Sequence, residues 1–153
     1  MTVAGSVRIC TAMAALVDTN VLVYRFDPRD ERKQRIARNL LRHGIASDSI
    51  RVAHQALIEF YAAVTRPIAG FGRLLEEADA RRETEEMLTQ FSILYPDDAV
   101  LRTALRGMAA YQLSWFDAHM WAYAEVFGMA ELISEDLQRG RLYGSVRVVD
   151  PFV

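Results

Sequence analysis

Short apolar runs alternate along this chain with longer segments whose apolar positions recur every three to four residues. The runs are at 14–17, 50–53, 91–95, 131–133 and 146–149, each of strand length and several rich in Val, Ile or Leu. Between them, helical spacing is read at 29–42, 55–66, 74–90, 97–111 and 115–127, and a further apolar stretch runs from Thr19 to Tyr24. In 29–42, Ile36, Leu40 and Leu41 share one side and arginines the other. The punctuation agrees: Asp27-Pro28 breaks the chain, His43-Gly44 reads as a helix end, Pro67 stops the helix before a turn-rich loop at 67–72, and Gly128 ends the most apolar helix.

Strands separated by helices predict an α/β domain, a parallel sheet of four to five strands covered by helices on both faces. In such sheets ligands lie beyond the carboxyl ends of the strands, where the winding direction reverses. Asp18 follows the first strand and Asp136 the fourth. Both carboxylates are therefore expected at that edge.

The chain has 153 residues, 52% of them hydrophobic and 25% charged, which fits one globular domain. Residues 1–13 are read as an N-terminal extension, a flexible and dispensable tail with Met13 as an alternative start, and 14–153 as the domain. The first dozen residues have no continuous apolar core and make a poor signal peptide, and no apolar run approaches the ~20 residues that cross a bilayer. Cys10 is the only cysteine, which excludes an internal disulfide and a cysteine metal cluster. A cytoplasmic location is expected. The net charge of −2 gives no global signature of nucleic-acid binding. Locally, seven basic residues between Arg25 and Arg42, among them Arg29, Arg32 and Lys33, stand against three acidic ones; a solvated helix face is the plain alternative.

Four acids carry the candidate chemistry: Asp18 in ALVDTNVLVY, Glu59 in QALIEFYAAVTR, Asp117 in LSWFDAHMWAYA and Asp136 in LISEDLQRG. Carboxylates beside such apolar segments need a partner or a cation if buried. Each also has a structural reading. Asp18 suits an N-cap, and Glu59 shares a stripe with Gln55, Ala62, Ala63 and Arg66 that would face water. Asp117 completes an [ST]-x-x-[DE] capping box with Ser114, and Asp136 sits in a turn with Glu135 as an equal rival. Other chemistries lack their residues. His119 is ~200° around a helix from Asp117, no paired-histidine or cysteine spacing supports zinc, and phosphate-binding glycine loops are absent. A receiver-type phosphorylation module needs a late lysine, but none follows Lys33, and an Asp-x-Asp phosphatase needs an acid where Asn20 stands.

Together these segments resemble the PIN-domain nucleases, and within them the VapC-type toxins of bacterial toxin–antitoxin pairs. LVDTNVLVYRFD, QALIEFYAAVTRP, LSWFDAHMWAYA and LISEDLQRG…VRVVDPF match in order and spacing over about residues 14–152. The resemblance implies a three-layer α/β/α sandwich with strand order 3-2-1-4-5. It also implies Asp18, Glu59, Asp117 and Asp136 as the catalytic, metal-binding acids, Asp136 rather than Glu135, with Thr19, Asn20 and Ser134 in support. One or two Mg²⁺ or Mn²⁺ ions would serve RNA hydrolysis, with Arg25, Arg29, Arg32 and Lys33 as candidate contacts to the RNA backbone. Asp150-Pro151-Phe152 departs from the usual Asn-Pro-Phe ending, and His119 replaces a residue that is often aliphatic.

The expected activity is that of a metal-dependent endoribonuclease, the toxin of such a pair. A small antitoxin is its expected partner and a homodimer its expected assembly. Phe71, Leu74 and Leu75 are candidates for a protein contact or for ordinary core packing. The alternatives are a relative that binds RNA or protein without catalysis, and a housekeeping nuclease of RNA maturation.

Overall fold

The computed structural model describes residues 14–153, so the reading of 1–13, with Cys10 and Met13, lies outside the described residues. In chain order the elements are β1 (Ala15–Val17), α1 (Thr19–Tyr24), α2 (Glu31–Ser47), β2 (Ile50–Ala53), α3 (His54–Thr65), α4 (Glu77–Gln90), β3 (Ser92–Leu94), α5 (Asp98–Tyr111), α6 (Trp115–Val126), β4 (Glu131–Ile133), β5 (Leu142–Tyr143) and β6 (Val146–Val149). One six-stranded sheet runs β3-β2-β1-β4-β6-β5. Every pairing is parallel except the β5–β6 hairpin.

The expected order 3-2-1-4-5 holds for the five longer strands, but the sheet has six. The extra strand is the two-residue edge β5, joined to β6 through Gly144 at a φ of +58°. Leu142-Tyr143 is too short to show a period of its own, so the pattern does not reveal it.

The strands are short, yet Leu16, Val17, Val52, Ala53, Leu132 and Val148 are buried almost completely. Helices cover the sheet and meet each other: α1 packs on α2 and α3, α3 on α4, and α5 on α6. Four helices begin at side-chain caps. Asp18 accepts from Thr19 N, Asp30 from Lys33 N, Asp97 from Ala99 N and Val100 N, and Ser114 Oγ from Asp117 N.

Helix α2 corrects the sequence reading: it runs through His43-Gly44 to Ser47 and ends at Asp48, whose φ of +51° makes it the left-handed cap. Gly44 has another reason to lack a side chain. A Cβ there would lie 2.1 Å from Ile50 Cδ1, so glycine lets β2 approach the helix. Helix α4 starts at Glu77, three residues later than the pattern predicts, and Leu74 and Leu75 ahead of it pack against the core. Phe71 stays exposed. Among the described residues, no helix is long and apolar enough to cross a membrane.

The winding direction reverses between β1 and β4. From β1 the chain moves outward through β2 and β3, then returns to lay β4 and β6 on the other side. The carboxyl ends of β1 and β4 therefore flank the crevice where this architecture places its ligands.

Candidate active site

Asp18 leaves β1 with its backbone N–H on Ile133 O of β4, at 2.9 Å. Its side chain is only 6% exposed. One oxygen, Oδ1, accepts from Thr19 N at 2.7 Å, and Oδ2 accepts from the Ser134 hydroxyl at 2.6 Å. Ser134 is fully buried and is itself fixed by its N–H on Val149 O. Its Oγ also accepts from Asp136 N at 3.1 Å. One hydroxyl thus ties the end of β1 to the turn after β4.

The next two residues extend this frame to two more acids. Thr19 Oγ1 donates to Glu59 Oε2 at 2.7 Å, while Gln55 Nε2 donates to Glu59 Oε1 at 2.8 Å. Glu59 is therefore turned toward α1 and half-buried, while Ala62 and Arg66 of the same stripe face water as expected. Asn20 Nδ2 donates to Asp136 Oδ2 at 2.9 Å and reaches Ser134 Oγ at 3.5 Å. Asn20 Oδ1 is buried and has no hydrogen-bond partner among the described residues.

Asp117 sits in the first turn of α6, where its N–H donates to Ser114 Oγ at 3.2 Å, so the capping reading holds. Its carboxylate belongs to the same electrostatic neighbourhood without being hydrogen-bonded to the other three acids. Burial first, then the charges of Asp136 and Glu59, push its proton affinity up, against the Ser114 contact. Asp18 is pushed further, from 3.8 to about 7. Burial is the main cause and the charges of Asp136 and Asp117 add to it, while the Ser134 and Thr19 bonds oppose it. Among the described residues, no three His, Cys, Asp or Glu side chains are grouped tightly enough to enclose a metal ion outright.

Glu135, the rival of Asp136, lines the same cavity but is engaged by other groups: it accepts from Tyr24 OH at 2.6 Å and from Lys33 Nζ at 2.7 Å. His119 uses Nδ1 on Trp115 O at 2.8 Å and meets the Trp115 ring edge-on, an intrahelical role. All four basic candidates make internal contacts: Arg25 with Gln90, Arg32 with the Phe152 carbonyl, and Lys33 with Glu135. The fourth, Arg29, is held by Asp27. Sequence reasoning overlooked Gln55, Tyr24 and Asp27. Gln55 had a signal, since it stands four residues before Glu59 on one helical stripe.

A cavity of about 350 Å³ opens beside these groups, lined by Thr19, Asn20, Tyr24, Asp27, Arg29 and Asp136 among others. A larger one, about 480 Å³, lies between α3, α4 and Tyr95 and contains none of the four acids. We place the site at the smaller cavity, because Asp136 lines it together with Thr19 and Asn20, the residues that hydrogen-bond Glu59, Asp18 and Asp136.

The fold and its acidic crevice define a class: parallel α/β domains that gather carboxylates at the switch point of the sheet. The family model of the PIN domain matches residues 15–143, and the chain belongs to this family. Among curated proteins, none matches the chain in sequence. Solved structures share its fold. A toxin–antitoxin complex from Klebsiella pneumoniae has 20% identity and a TM-score of 0.64, over 90% of this chain and 98% of that one. A DNA-bound VapBC from Salmonella typhimurium has 12% identity and a TM-score of 0.65, over 91% and 98%. Mycobacterium tuberculosis VapC20, a toxin that cleaves the sarcin-ricin loop, has 16% identity and a TM-score of 0.62, over 80% and 90%.

Proposed function

We propose that the protein is a divalent-metal-dependent endoribonuclease and the toxin of a VapBC-type pair, with a small antitoxin protein as partner and a second copy of the chain as its oligomeric mate. The observation that carries the reading is the setting of Asp18. It is a buried carboxylate at the carboxyl end of β1, pushed up to about 7, with Asp117 and Asp136 as like-charged neighbours. Glu59 joins it through Thr19. Such a set is costly without a counter-charge, and a bound cation would offset that cost.

The donors fit a hard ion. They are carboxylate oxygens, with the unpartnered Asn20 Oδ1 in the same frame, and Mg²⁺ and Mn²⁺ favour oxygen over nitrogen or sulfur. Asp18, Asp117, Asp136 and Glu59 would hold one or two ions. A bound Mg²⁺ or Mn²⁺ supplies polarisation of a phosphodiester and a water of lowered pKa.

The chain supplies the rest. Ser134 and Thr19 N–H aim the two oxygens of Asp18, and Asn20 does the same for Asp136. Glu59, with one oxygen on Thr19 and the other on Gln55, would orient or deprotonate a water at the crevice. The likeness to toxins named for antitoxin complexes and for RNA cleavage supports the partner and the substrate class.

The test is cleavage of labelled RNA with Mg²⁺, Mn²⁺ or EDTA, alongside Asp117→Asn and Asp136→Asn. Loss of cleavage in EDTA and in both variants, with folding unchanged, is the expected result. Full activity in either variant refutes the assignment. Inducible expression with and without the neighbouring reading frame tests the toxin reading separately: growth arrest relieved by the neighbour is expected.

A further inference from the structure

The cavity beside the acids has one basic wall, and that wall is built differently from the other basic residues of the segment. Asp27 is only 4% exposed, and both its oxygens are spent on one residue. Oδ1 accepts from Arg29 Nε at 2.9 Å and from Arg29 N at 3.0 Å, and Oδ2 accepts from Arg29 Nη2 at 2.7 Å. Two bonds donated by the guanidinium to a buried carboxylate fix its plane. Its Nη1 has no hydrogen-bond partner among the described residues, and the side chain keeps 45% of its surface. Phe71 lies beside it, with the ring centroid 5.6 Å from Cζ. Arg29 and Asp27 line the same cavity as Thr19, Asn20 and Asp136.

A polyanion approaching this crevice meets four carboxylates, so its strand needs a fixed cation at the rim. Arg29 and Lys33 are each paired with a carboxylate, but the Lys33 ammonium is divided between Glu135 and Tyr24 and does not line this cavity. Arg29 has donors left over after the Asp27 fork, and a planar, pre-oriented guanidinium suits a phosphate better than a mobile ammonium does.

We propose that Arg29, anchored by Asp27 and backed by Phe71, is a substrate-positioning residue that binds a phosphate of the RNA strand at the rim of the acidic crevice. This deepens the nuclease reading and rests on it for the identity of the strand.

Binding is measured in the Asp117→Asn background, where cleavage is removed, by anisotropy of a labelled single-stranded RNA in Mg²⁺ over a range of salt. Arg29→Ala is expected to weaken binding roughly tenfold, the size of one charge-assisted hydrogen bond. It also flattens the slope of log affinity against log salt by ~0.7. Arg29→Lys keeps that slope and loses most of the affinity. Arg29→Gln, which can still donate to Asp27, loses both while preserving the fold. In the otherwise unaltered enzyme, Arg29→Ala raises KM more than it lowers kcat.

Unchanged RNA affinity and salt slope in Arg29→Ala overturn the proposal even if cleavage is confirmed. So does an RNA affinity that stays intact while affinity for a glutamate-rich peptide falls, which would assign Arg29 to a protein partner. If the wild-type protein cleaves no RNA but binding still depends on Arg29, the nuclease reading falls and the phosphate contact stands.

Discussion

Replacing Asp18 by asparagine should make the metal-free protein more stable. The Asp18 carboxyl is held at about 7 in the folded chain against 3.8 ordinarily, a rise of about 3 pKa units. At ~1.4 kcal/mol per unit, keeping it ionised in the fold costs about 4 kcal/mol. The sign follows from linkage. A carboxyl whose folded value is raised contributes its full stability below 3.8 and loses it as the pH climbs through about 7. Asparagine keeps the shape and carries no charge. Its amide satisfies Thr19 N through Oδ1, but its Nδ2 meets a Ser134 hydroxyl that now donates to Oδ2. Reversing that bond offsets about 1–2 kcal/mol. The net gain is about 2–3 kcal/mol near pH 8, which for a domain of this length raises Tm by roughly 5–10 °C. Thermal unfolding of both proteins in EDTA at about pH 5 and about pH 8 is the assay. The gap should widen toward the higher pH and close in the wild type when Mn²⁺ is added, because the ion stabilises only a site that holds it. An Asp18→Asn protein no more stable than wild type at the higher pH refutes the reasoning, as does a gap indifferent to pH.

Ser134→Ala leaves a buried oxygen of Asp18 unpaired and should cost about 1–3 kcal/mol by denaturant unfolding, more near pH 8 than near pH 5, because the bond that favours the ionised form is gone. Gly107→Ala should destabilise by about 1–3 kcal/mol, since its Cβ would stand 2.4 Å from Trp121 Cζ3, and that indole is held by its Nε1–H on Tyr143 O. Metal affinity, read by calorimetry, should rise with pH and level off above about 7, as the ion must displace the Asp18 proton. A flat profile removes Asp18 from the ligand set.

Much of this site could be read from the chain because its parts sit at element boundaries. Asp18 after an apolar run and Asp136 after another are placed at one edge by the fold class alone, and the observed order of the five longer strands agrees. Pattern could not say which way Glu59 faces. Its stripe is weakly apolar, and it is Thr19, brought to it by the packing of α1 on α3, that turns it toward α1, with Gln55 one turn earlier on the same helix holding its other oxygen. The choice between Glu135 and Asp136 is also tertiary: Lys33 and Tyr24 draw the first away, and both lie over a hundred residues distant in sequence. Gly44 misled for a physical reason. Glycine at a helix end and glycine under a close neighbour look the same in sequence, and here the neighbour is Ile50. Asp27 was read as part of a chain break before Pro28, and its grip on Arg29 is a local turn that periodicity does not report.

The hydroxyl bond between Ser134 and Asp18 spans 116 residues. A ribosome must therefore release most of the polypeptide before β4 can dock beside β1 and bring the two ends of the crevice together. A nascent or prematurely terminated chain carries Asp18, Glu59 and even Asp117 without the hydroxyl that orients the first of them, so on the proposed nuclease reading any activity has to wait until translation is nearly finished.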